Sequence, residues 1–248
     1  MIVAATLLCD RKAPSQLVAV PAVLNMTGVD RYYINIESNL PPEERAQLWK
    51  PLLDLVKERE GQKPTVHIEW WHRSAWGGAV PTYDQDQRRL MFIVTGRNMS
   101  IDFAQAMRAD WLLYIDADVK PEPDGLGHLL ALNKPLCGGL VPGRGVHSHV
   151  KYVFHKHEDT ADFIKCGYGT CGYMLIHKDI FGVLRFRYGP HMQVRSVILS
   201  EDPAYCSDAI QILKLTDDFY IAKKAVAEHR DDPEKPLTAQ EACKETSW

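Results

Sequence analysis

Residues 109–119 read ADWLLYIDADV, and in this stretch the apolar and aromatic run from Trp111 to Ile115 stops at two carboxylates one residue apart. A short apolar run bounded by polar residues is typical of a strand that helices cover on both faces. Ligands of open α/β sheets bind at the carboxyl ends of strands. Side chains two apart in an extended chain point the same way, so we expect Asp116 and Asp118 to face one site together. Such a pair suits Mg²⁺ or Mn²⁺ shared with a diphosphate, although acids at strand ends also serve simply as turns and caps.

The composition is that of a globular protein with one large core. The chain has 248 residues, of which 46% are hydrophobic, and a net charge of -3. We therefore expect one α/β domain over residues 1–230 and a polar tail over residues 231–248. The charge gives no general signal for nucleic acid or membrane. The apolar run from Met1 to Cys9 is too short for a signal peptide or a transmembrane helix, and the six cysteines lack the paired spacing of a zinc site, so a cytoplasmic protein with reduced thiols is expected.

Strands and helices are predicted to alternate along the chain. Apolar runs predict strands at Met1–Cys9, Arg31–Glu37, Thr65–Trp71, Trp111–Ile115, Pro135–Val141, Tyr173–Ile176 and Tyr220–Val226. Caps, prolines and apolar stripes predict helices at Ser15–Asn25, Pro41–Glu60, Gln85–Thr95, a further helix capped by Asn98 or Ser100, Pro123–Leu132, a short helix from Lys178, and Ser200–Lys214. Residues 71–83 and 143–165 are predicted to be loops, the second with a short strand at Tyr152–Phe154. This order predicts an α/β fold with a mostly parallel sheet and helices on both faces.

Three other segments are open to more than one interpretation. The histidines at positions 147, 149, 155 and 157 lack the spacing of a tetrahedral metal site, which favours a segment that covers an active site. The glycines between Cys166 and Gly172 either let the backbone pass close to a ligand or serve a bulge or turn. A strip with three arginines is either a contact surface for nucleic acid or a solvated face; it comprises Arg185, Arg187, Tyr188, His191 and Arg195.

Five motifs occur in a fixed order along the chain. They are Arg97-Asn98, the strand end Asp116-Ala117-Asp118, the sequence GYGTCG at residues 167–172, Ser200-Glu201-Asp202 at a helix start, and a late His229. In order and spacing they resemble the GT-A glycosyltransferases, in particular the family-2-like nucleotide-sugar transferases, which include small enzymes encoded by bacteriophages. The resemblance spans the chain from the first strand to about Arg230.

The resemblance implies a metal-dependent enzyme that moves a hexosyl or pentosyl group from a nucleotide-sugar donor, most often a UDP-sugar, to an acceptor hydroxyl. The cofactor would be Mn²⁺ or Mg²⁺, bound at the Asp-X-Asp (DXD) motif. The residues implied on the donor side are Asp10 and Arg11 near the base, Arg97 on the nucleotide side of the cleft, Asp116 with Ala117 at the ribose or sugar, and Asp118 on the metal. His229 would complete the metal coordination.

On the acceptor side, the resemblance implies that Asp202 is the general base and that Glu201 helps to hold the acceptor. A carboxylate at a helix start suits proton removal in an inverting reaction, and a retaining reaction would give Asp202 another role. The acceptor is left open and includes a glycan or modified DNA.

Three alternatives compete with this hypothesis. A sugar-nucleotide nucleotidyltransferase shares related folds, but normally has a glycine-rich phosphate loop after the first strand, and residues 10–15 contain no glycine. A haloacid-dehalogenase phosphatase normally has its acid pair after the first strand, whereas three predicted strands precede Asp116. A non-catalytic module that binds nucleic acid or glycan through the basic strip would not need all of Asp116, Asp118, Asp202 and His229.

Overall fold

A mixed β-sheet forms the centre of the protein. The computed structural model describes residues 1–9, 13–38, 40–71, 85–141, 154–169, 172–190, 198–199, 201–230 and 237–238. The strands in these ranges are β1 (Val3–Cys9), β2 (Arg31–Glu37), β3 (Thr65–Trp71), β4 (Trp111–Asp116), β5 (Val119–Pro121), β6 (Leu136–Leu140), β7 (Phe154–Asp159), β8 (Phe163–Tyr168), β9 (Tyr173–His177), β10 (Gly189–Pro190), β11 (Ile198–Leu199), β12 (Phe219–His229) and β13 (Leu237–Thr238).

The strand order of the main sheet is β3-β2-β1-β4-β9-β6-β12-β8-β7, with β5 and β13 paired to the end of β12. Strand β1 pairs in parallel with both β2 and β4, and β6 pairs in parallel with β12. Within the nine-strand order, only β8 and β9 run against the others. The sheet is therefore mixed and mostly parallel, as the alternation of elements predicted.

Helices cover both faces of this sheet. They are α1 (Ala13–Val23), α2 (Pro42–Leu48), α3 (Lys50–Glu58), α4 (Gln85–Ala106), α5 (Gly125–Ala131), α6 (Lys178–Phe181) and α7 (Glu201–Ser207), the last followed by a π-helical turn at Asp208–Ile212. In β4, Leu113 and Ile115 belong to the core shared with α1, α3 and α5, whereas Leu112 and Tyr114 belong to the core shared with α4, α6 and α7. This is why the strand has no polar alternation. None of the helices in the described ranges is long and apolar enough to cross a membrane.

Several helix predictions were wrong in their boundaries. The helix expected from Pro41 to Glu60 is broken at Trp49, since Pro51 lies in the first turn of α3 and its ring cannot follow a continuous helix. The helix expected to end at Thr95 continues through Gly96 to Ala106. A Cβ at Gly96 would lie 2.7 Å from Cδ1 of Leu8, so this glycine allows α4 to pack closely on β1 and does not end the helix.

The histidine-rich segment expected to be a loop contains the antiparallel hairpin β7–β8 at one edge of the sheet. Strand β8 pairs with β12, a partner more than fifty residues away that local composition could not reveal. The side chain of Lys165 lies 3.2 Å from carboxylate oxygens of both Asp217 and Asp218, and Nδ1 of His157 lies 2.9 Å from Asp218. These contacts hold the hairpin to the start of β12.

The last third of the chain also differs in detail. The helix expected over residues 200–214 ends at Ser207 and continues as the π-helical turn, in which the N–H of Leu213 donates to the carbonyl of Asp208 at 2.8 Å. Strand β12 is longer than expected and has an irregularity between Ala222 and Val226. Within the expected polar tail, Leu237–Thr238 pair antiparallel with the end of β12. The loop expected at residues 71–83 lies almost wholly outside the described residues.

Candidate active site

Arg97, inside helix α4, brings three of the sequence-predicted acids together at the carboxyl end of β4. Its Nη1 forms an ion pair with Oδ1 of Asp202, in the first turn of α7. Its Nη2 lies 3.4 Å from Oε1 of Glu201 and 3.8 Å from Oδ1 of Asp116, the last residue of β4. One guanidinium therefore joins α4, the tip of β4 and the start of α7.

The members of this acid–arginine cluster differ in exposure. The side chains of Arg97 and Glu201 are 7% and 9% exposed, and that of Asp202 is 14% exposed. The side chain of Asp116 is 44% exposed. Hence Asp116 forms the open side of the cluster, where a ligand can approach, and the guanidinium lies at its buried side.

Aromatic rings fix the position of Arg97. Its guanidinium carbon lies 5.9 Å from the ring centre of Tyr114 and 5.5 Å from that of Phe186. The Tyr114 hydroxyl donates to the backbone carbonyl of Arg97 at 2.5 Å. The Phe186 ring stacks on Tyr205 of α7, with centroids 4.1 Å apart. Since arginine above an aromatic face is stabilised by the ring's charge distribution, these rings both orient and retain the cation.

Asn98 anchors the same ring through the backbone. Its side-chain amide donates to the carbonyl of Phe186 at 3.0 Å, and its side-chain carbonyl accepts from the N–H of Phe186 at 2.8 Å. The sequence suggested Asn98 as a helix cap, but it lies in the middle of α4. Phe186 was not identified from the sequence, because its contact with Asn98 joins residues 88 positions apart.

Burial raises the pKa of Glu201 to about 7, with a further increase from the charge of Asp202 and an opposing decrease from Arg97. A carboxyl group with such a pKa exchanges its proton near neutral pH, which is the property required of an acid–base group. Asp202 is the neighbour of Glu201 in the chain, but Arg97 is more than one hundred residues away, so the pKa of Glu201 depends on the folded structure.

Asp118 and His229 form a second buried pair. Oδ1 of Asp118 lies 3.7 Å from Nε2 of His229, and the two side chains are 6% and 5% exposed. Strand β5 pairs with β12 so that Val119 lies opposite His229. The N–H of Arg230 donates to the backbone carbonyl of Asp118 at 2.7 Å. The pairing of β5 with β12 therefore brings the two side chains together.

The extended geometry expected of Asp116-Ala117-Asp118 was wrong. Strand β4 ends at Asp116, and Ala117 and Asp118 form a turn that leads into β5. Asp116 consequently contacts Arg97, and Asp118 contacts His229. The chain turns here because Val119–Pro121 pairs with β12, a contact that the local sequence does not show.

The Asp118–His229 pair fits a divalent cation as a site with two protein ligands. Bonds from such cations to oxygen and nitrogen are about 2.0–2.2 Å long, so two atoms 3.7 Å apart can both reach one ion. A carboxylate with an imidazole suits Mn²⁺ somewhat better than Mg²⁺, which prefers oxygen. Within the described ranges, no group of three or more His, Cys, Asp or Glu side chains is placed to hold a metal ion. The remaining positions would fall to substrate oxygens and water.

Other residues singled out from the sequence lie elsewhere or outside the described part of the chain. Asp10, Arg11, His191 and Arg195 are outside it. In the basic strip, Arg185 pairs with Asp102 at 2.8 Å and Arg187 pairs with Asp208 at 2.7 Å.

In the glycine-rich segment, Gly169 allows close packing of a neighbouring side chain. A Cβ at Gly169 would lie 2.1 Å from the Phe219 ring, so the absence of a side chain lets that ring approach. The carbonyl of Gly172 accepts from the N–H of Asp116 at 3.1 Å, which ties this segment to the tip of β4.

Comparison with known proteins gives a result for the fold alone. No protein-family model and no curated protein matches the sequence. Among solved structures, the chain is similar to S. aureus TarS 1-349, with 10% identity over 90% of this chain and 58% of that chain and a TM-score of 0.52. The same protein in complex with UDP gives 9% identity, the same coverage and a TM-score of 0.50. Apo UDP-glucose pyrophosphorylase gives 11% identity over 94% of this chain and 95% of that chain, with a TM-score of 0.50.

The fold is therefore of the GT-A type found in nucleotide-sugar enzymes, as the order of sequence motifs predicted. This chain spans less than two thirds of the TarS fragment, at 58% of its length. It spans almost the whole of the pyrophosphorylase, at 95%.

Proposed function

We propose that this protein is a glycosyltransferase that transfers a sugar from a nucleotide-diphosphate donor, a UDP-sugar in the first instance, to an acceptor hydroxyl. The observation that carries the proposal is that two clusters of ionisable side chains lie at the carboxyl end of β4 in a GT-A fold. One is the acid–arginine cluster of Asp116, Glu201, Asp202 and Arg97, and the other is the Asp118–His229 pair. The likeness to a TarS structure that contains UDP supports the choice of nucleotide.

On the donor side, the half-exposed Asp116 is proposed to contact the ribose or the sugar, and Asp118 and His229 to hold Mn²⁺ or Mg²⁺. When bound there, a divalent cation supplies Lewis-acid stabilisation of the negative charge that develops on the leaving diphosphate. The two protein ligands are held by the β5–β12 pairing, so the site is formed before substrate arrives.

On the acceptor side, Asp202 is proposed to be the general base of an inverting reaction. The acceptor oxygen forms a bond to the anomeric carbon, the bond from that carbon to the diphosphate oxygen breaks, and the acceptor proton passes to the Asp202 carboxylate. Glu201 has a pKa of about 7 because it is buried, so it can donate a hydrogen bond as a neutral acid while Asp202 accepts the proton.

A sugar-nucleotide nucleotidyltransferase is the second candidate. The likeness to UDP-glucose pyrophosphorylase over nearly the full length of both chains favours it. The absence of glycine from residues 10–15 favours the transferase. A module that only binds nucleic acid has less support, because Arg185 and Arg187 are each paired with an aspartate.

Thermal stabilisation and donor hydrolysis across UDP-, GDP- and TDP-sugars, each with Mn²⁺, Mg²⁺ or EDTA, test the proposal. We expect one nucleotide to stabilise the protein only with metal. Asp118→Ala should remove that metal-dependent stabilisation, and Asp202→Asn should retain donor binding while transfer is lost. Asp54→Ala, which removes an aspartate from an exposed ion pair on α3, is the matched control.

Three outcomes would contradict parts of this scheme. Full transfer by either variant removes that residue from its proposed role. Release of diphosphate from a nucleoside triphosphate and a sugar 1-phosphate identifies the nucleotidyltransferase instead. No stabilisation by any nucleotide overturns both enzymatic proposals.

A further inference from the structure

The guanidinium of Arg97 contacts acidic and aromatic side chains of the protein itself. We infer that Arg97 is a positioning residue for the Glu201–Asp202 pair, and does not bind the donor nucleotide as the sequence resemblance implies. This inference rests on the proposed function, and it assigns to Arg97 a different role in the same reaction. It concerns the described residues of α4, β4, the segment around Phe186, and α7.

The guanidinium of Arg97 is buried and already paired. Its side chain is only 7% exposed, and its Nη1 is paired with Asp202. To reach a ligand on the open side of the cluster, the guanidinium would have to break that ion pair and leave the Tyr114 and Phe186 rings. Breaking a buried ion pair leaves an uncompensated charge, which is strongly unfavourable. The half-exposed Asp116 is the member of the cluster that a donor can reach without this rearrangement.

Arg97 also contacts both acids at the start of a short helix. Helix α7 has only seven residues, and Glu201 and Asp202 are its first two, so helix formation alone does little to fix their side chains. Arg97 extends from a 22-residue helix that packs on β1, and it holds both acids through two nitrogens of one rigid plane. Because a general base must lie within hydrogen-bond reach of the proton it removes, an anchor of this kind is needed for the reaction.

The charge of Arg97 also acts on the proton affinity of Glu201. Among the described residues, the charged groups that face Glu201 are Asp202, Arg97 and Asp116, and Arg97 carries the positive charge of this set. The guanidinium opposes the increase in the pKa of Glu201 that burial and the two aspartates cause. Its removal would therefore raise the pKa of that carboxyl further and would extend the pH range in which the pair holds a proton.

Kinetics of Arg97→Gln and Arg97→Lys, with donor binding measured separately by calorimetry, test the inference. For Arg97→Gln we expect kcat to fall about 100-fold, the size of effect that a displaced reacting group produces, while the donor Kd changes less than about threefold. The alkaline limb of the pH–rate profile, where the Glu201 carboxyl loses its proton, should move to higher pH. Arg97→Lys should recover part of kcat, because it keeps the charge but not the planar fork.

Arg187→Gln is the matched control. Arg187 forms a two-point ion pair with Asp208, which directly follows α7, so its loss weakens the attachment of the same helical segment without touching Glu201 or Asp202. We expect this variant to lose stability and to keep its kcat and its pH profile.

Several results would overturn the inference. A donor Kd for Arg97→Gln that rises as much as kcat/KM falls makes Arg97 a donor-binding residue. Equal losses of kcat in Arg97→Gln and Arg187→Gln make it a structural residue only. If the wild type binds no nucleotide-sugar, the proposed function fails, whatever the role of Arg97. In that case, ¹³C NMR titration of the Glu201 carboxyl in the wild type and in Arg97→Gln tests the positioning role. A higher pKa in Arg97→Gln supports that role, and an unchanged pKa overturns it.

Discussion

Glu201→Gln tests whether ionisation of Glu201 in the candidate active site lowers the free energy of unfolding. Burial raises the pKa of Glu201 from 4.5 to about 7, so between these values the folded protein holds a proton that the unfolded chain has lost. Stability is therefore lost as pH rises through this window. A difference of one pKa unit corresponds to about 1.4 kcal/mol, and the whole shift to roughly 3 kcal/mol. Glutamine has no proton to lose, so this pH-dependent loss is absent from the variant.

Urea unfolding of the wild type and Glu201→Gln at several pH values between 4.5 and 8 measures this effect. The free energy of unfolding of the variant, relative to the wild type, should increase by about 1.4 kcal/mol per pH unit between pH 5 and 7 and then level off. Glu44→Gln, at an exposed position of α2, controls for the change in net charge. A difference between Glu201→Gln and the wild type that stays constant across this range would refute the reasoning, because it would mean that folding does not alter the proton affinity of Glu201.

Two further predictions concern the packing beneath the site. The hydroxyl of Tyr173 is buried without a hydrogen-bond partner among the described residues, so Tyr173→Phe should raise the free energy of unfolding by about 1 kcal/mol in urea titrations; a loss of that size would show that the hydroxyl has a partner. In Gly139→Ala, the new Cβ would lie 2.2 Å from Cδ1 of Tyr173 and 2.5 Å from the carbonyl oxygen of Ala225, and we expect a loss of about 1–3 kcal/mol. Gly127→Ala, where a Cβ meets nothing within 4 Å in helix α5, is its control and should be neutral or stabilising; equal effects of the two substitutions would contradict this account.

Local sequence patterns predicted most of the sheet. Strands β2 and β3 have the bounds expected from their apolar runs, and the stretch that ends at Asp116 is a strand buried on both faces. Apolar periodicity identifies such elements because burial depends on one residue and its near neighbours. Helix ends were less predictable, since the glycine at position 96 serves close packing on Leu8, which is distant in sequence.

The contacts within the candidate site could be predicted only in part. The order of motifs placed Asp116, Glu201 and Asp202 at element ends that could meet, and the structure brings them together around Arg97. No local pattern indicated that Arg97 is their common partner, because the ion pair with Asp202 joins residues 105 positions apart. The loop expected at residues 143–165 was wrong from residue 154 onward for the same reason, since strand β8 depends on pairing with β12.

The sequence by itself determined the α/β class with a mostly parallel sheet and the residue types available at the carboxyl end of β4, because both follow from local hydrophobicity and from acids placed at element ends. The GT-A type was predicted from the resemblance of the motif order to that family. Tertiary structure decided which side chains meet. Pairing of β5 with β12 places Asp118 beside His229, and the packing of α4 against α7 places Asp202 beside Arg97. Such contacts depend on strand register and helix packing between distant segments, and these are properties of the folded chain as a whole.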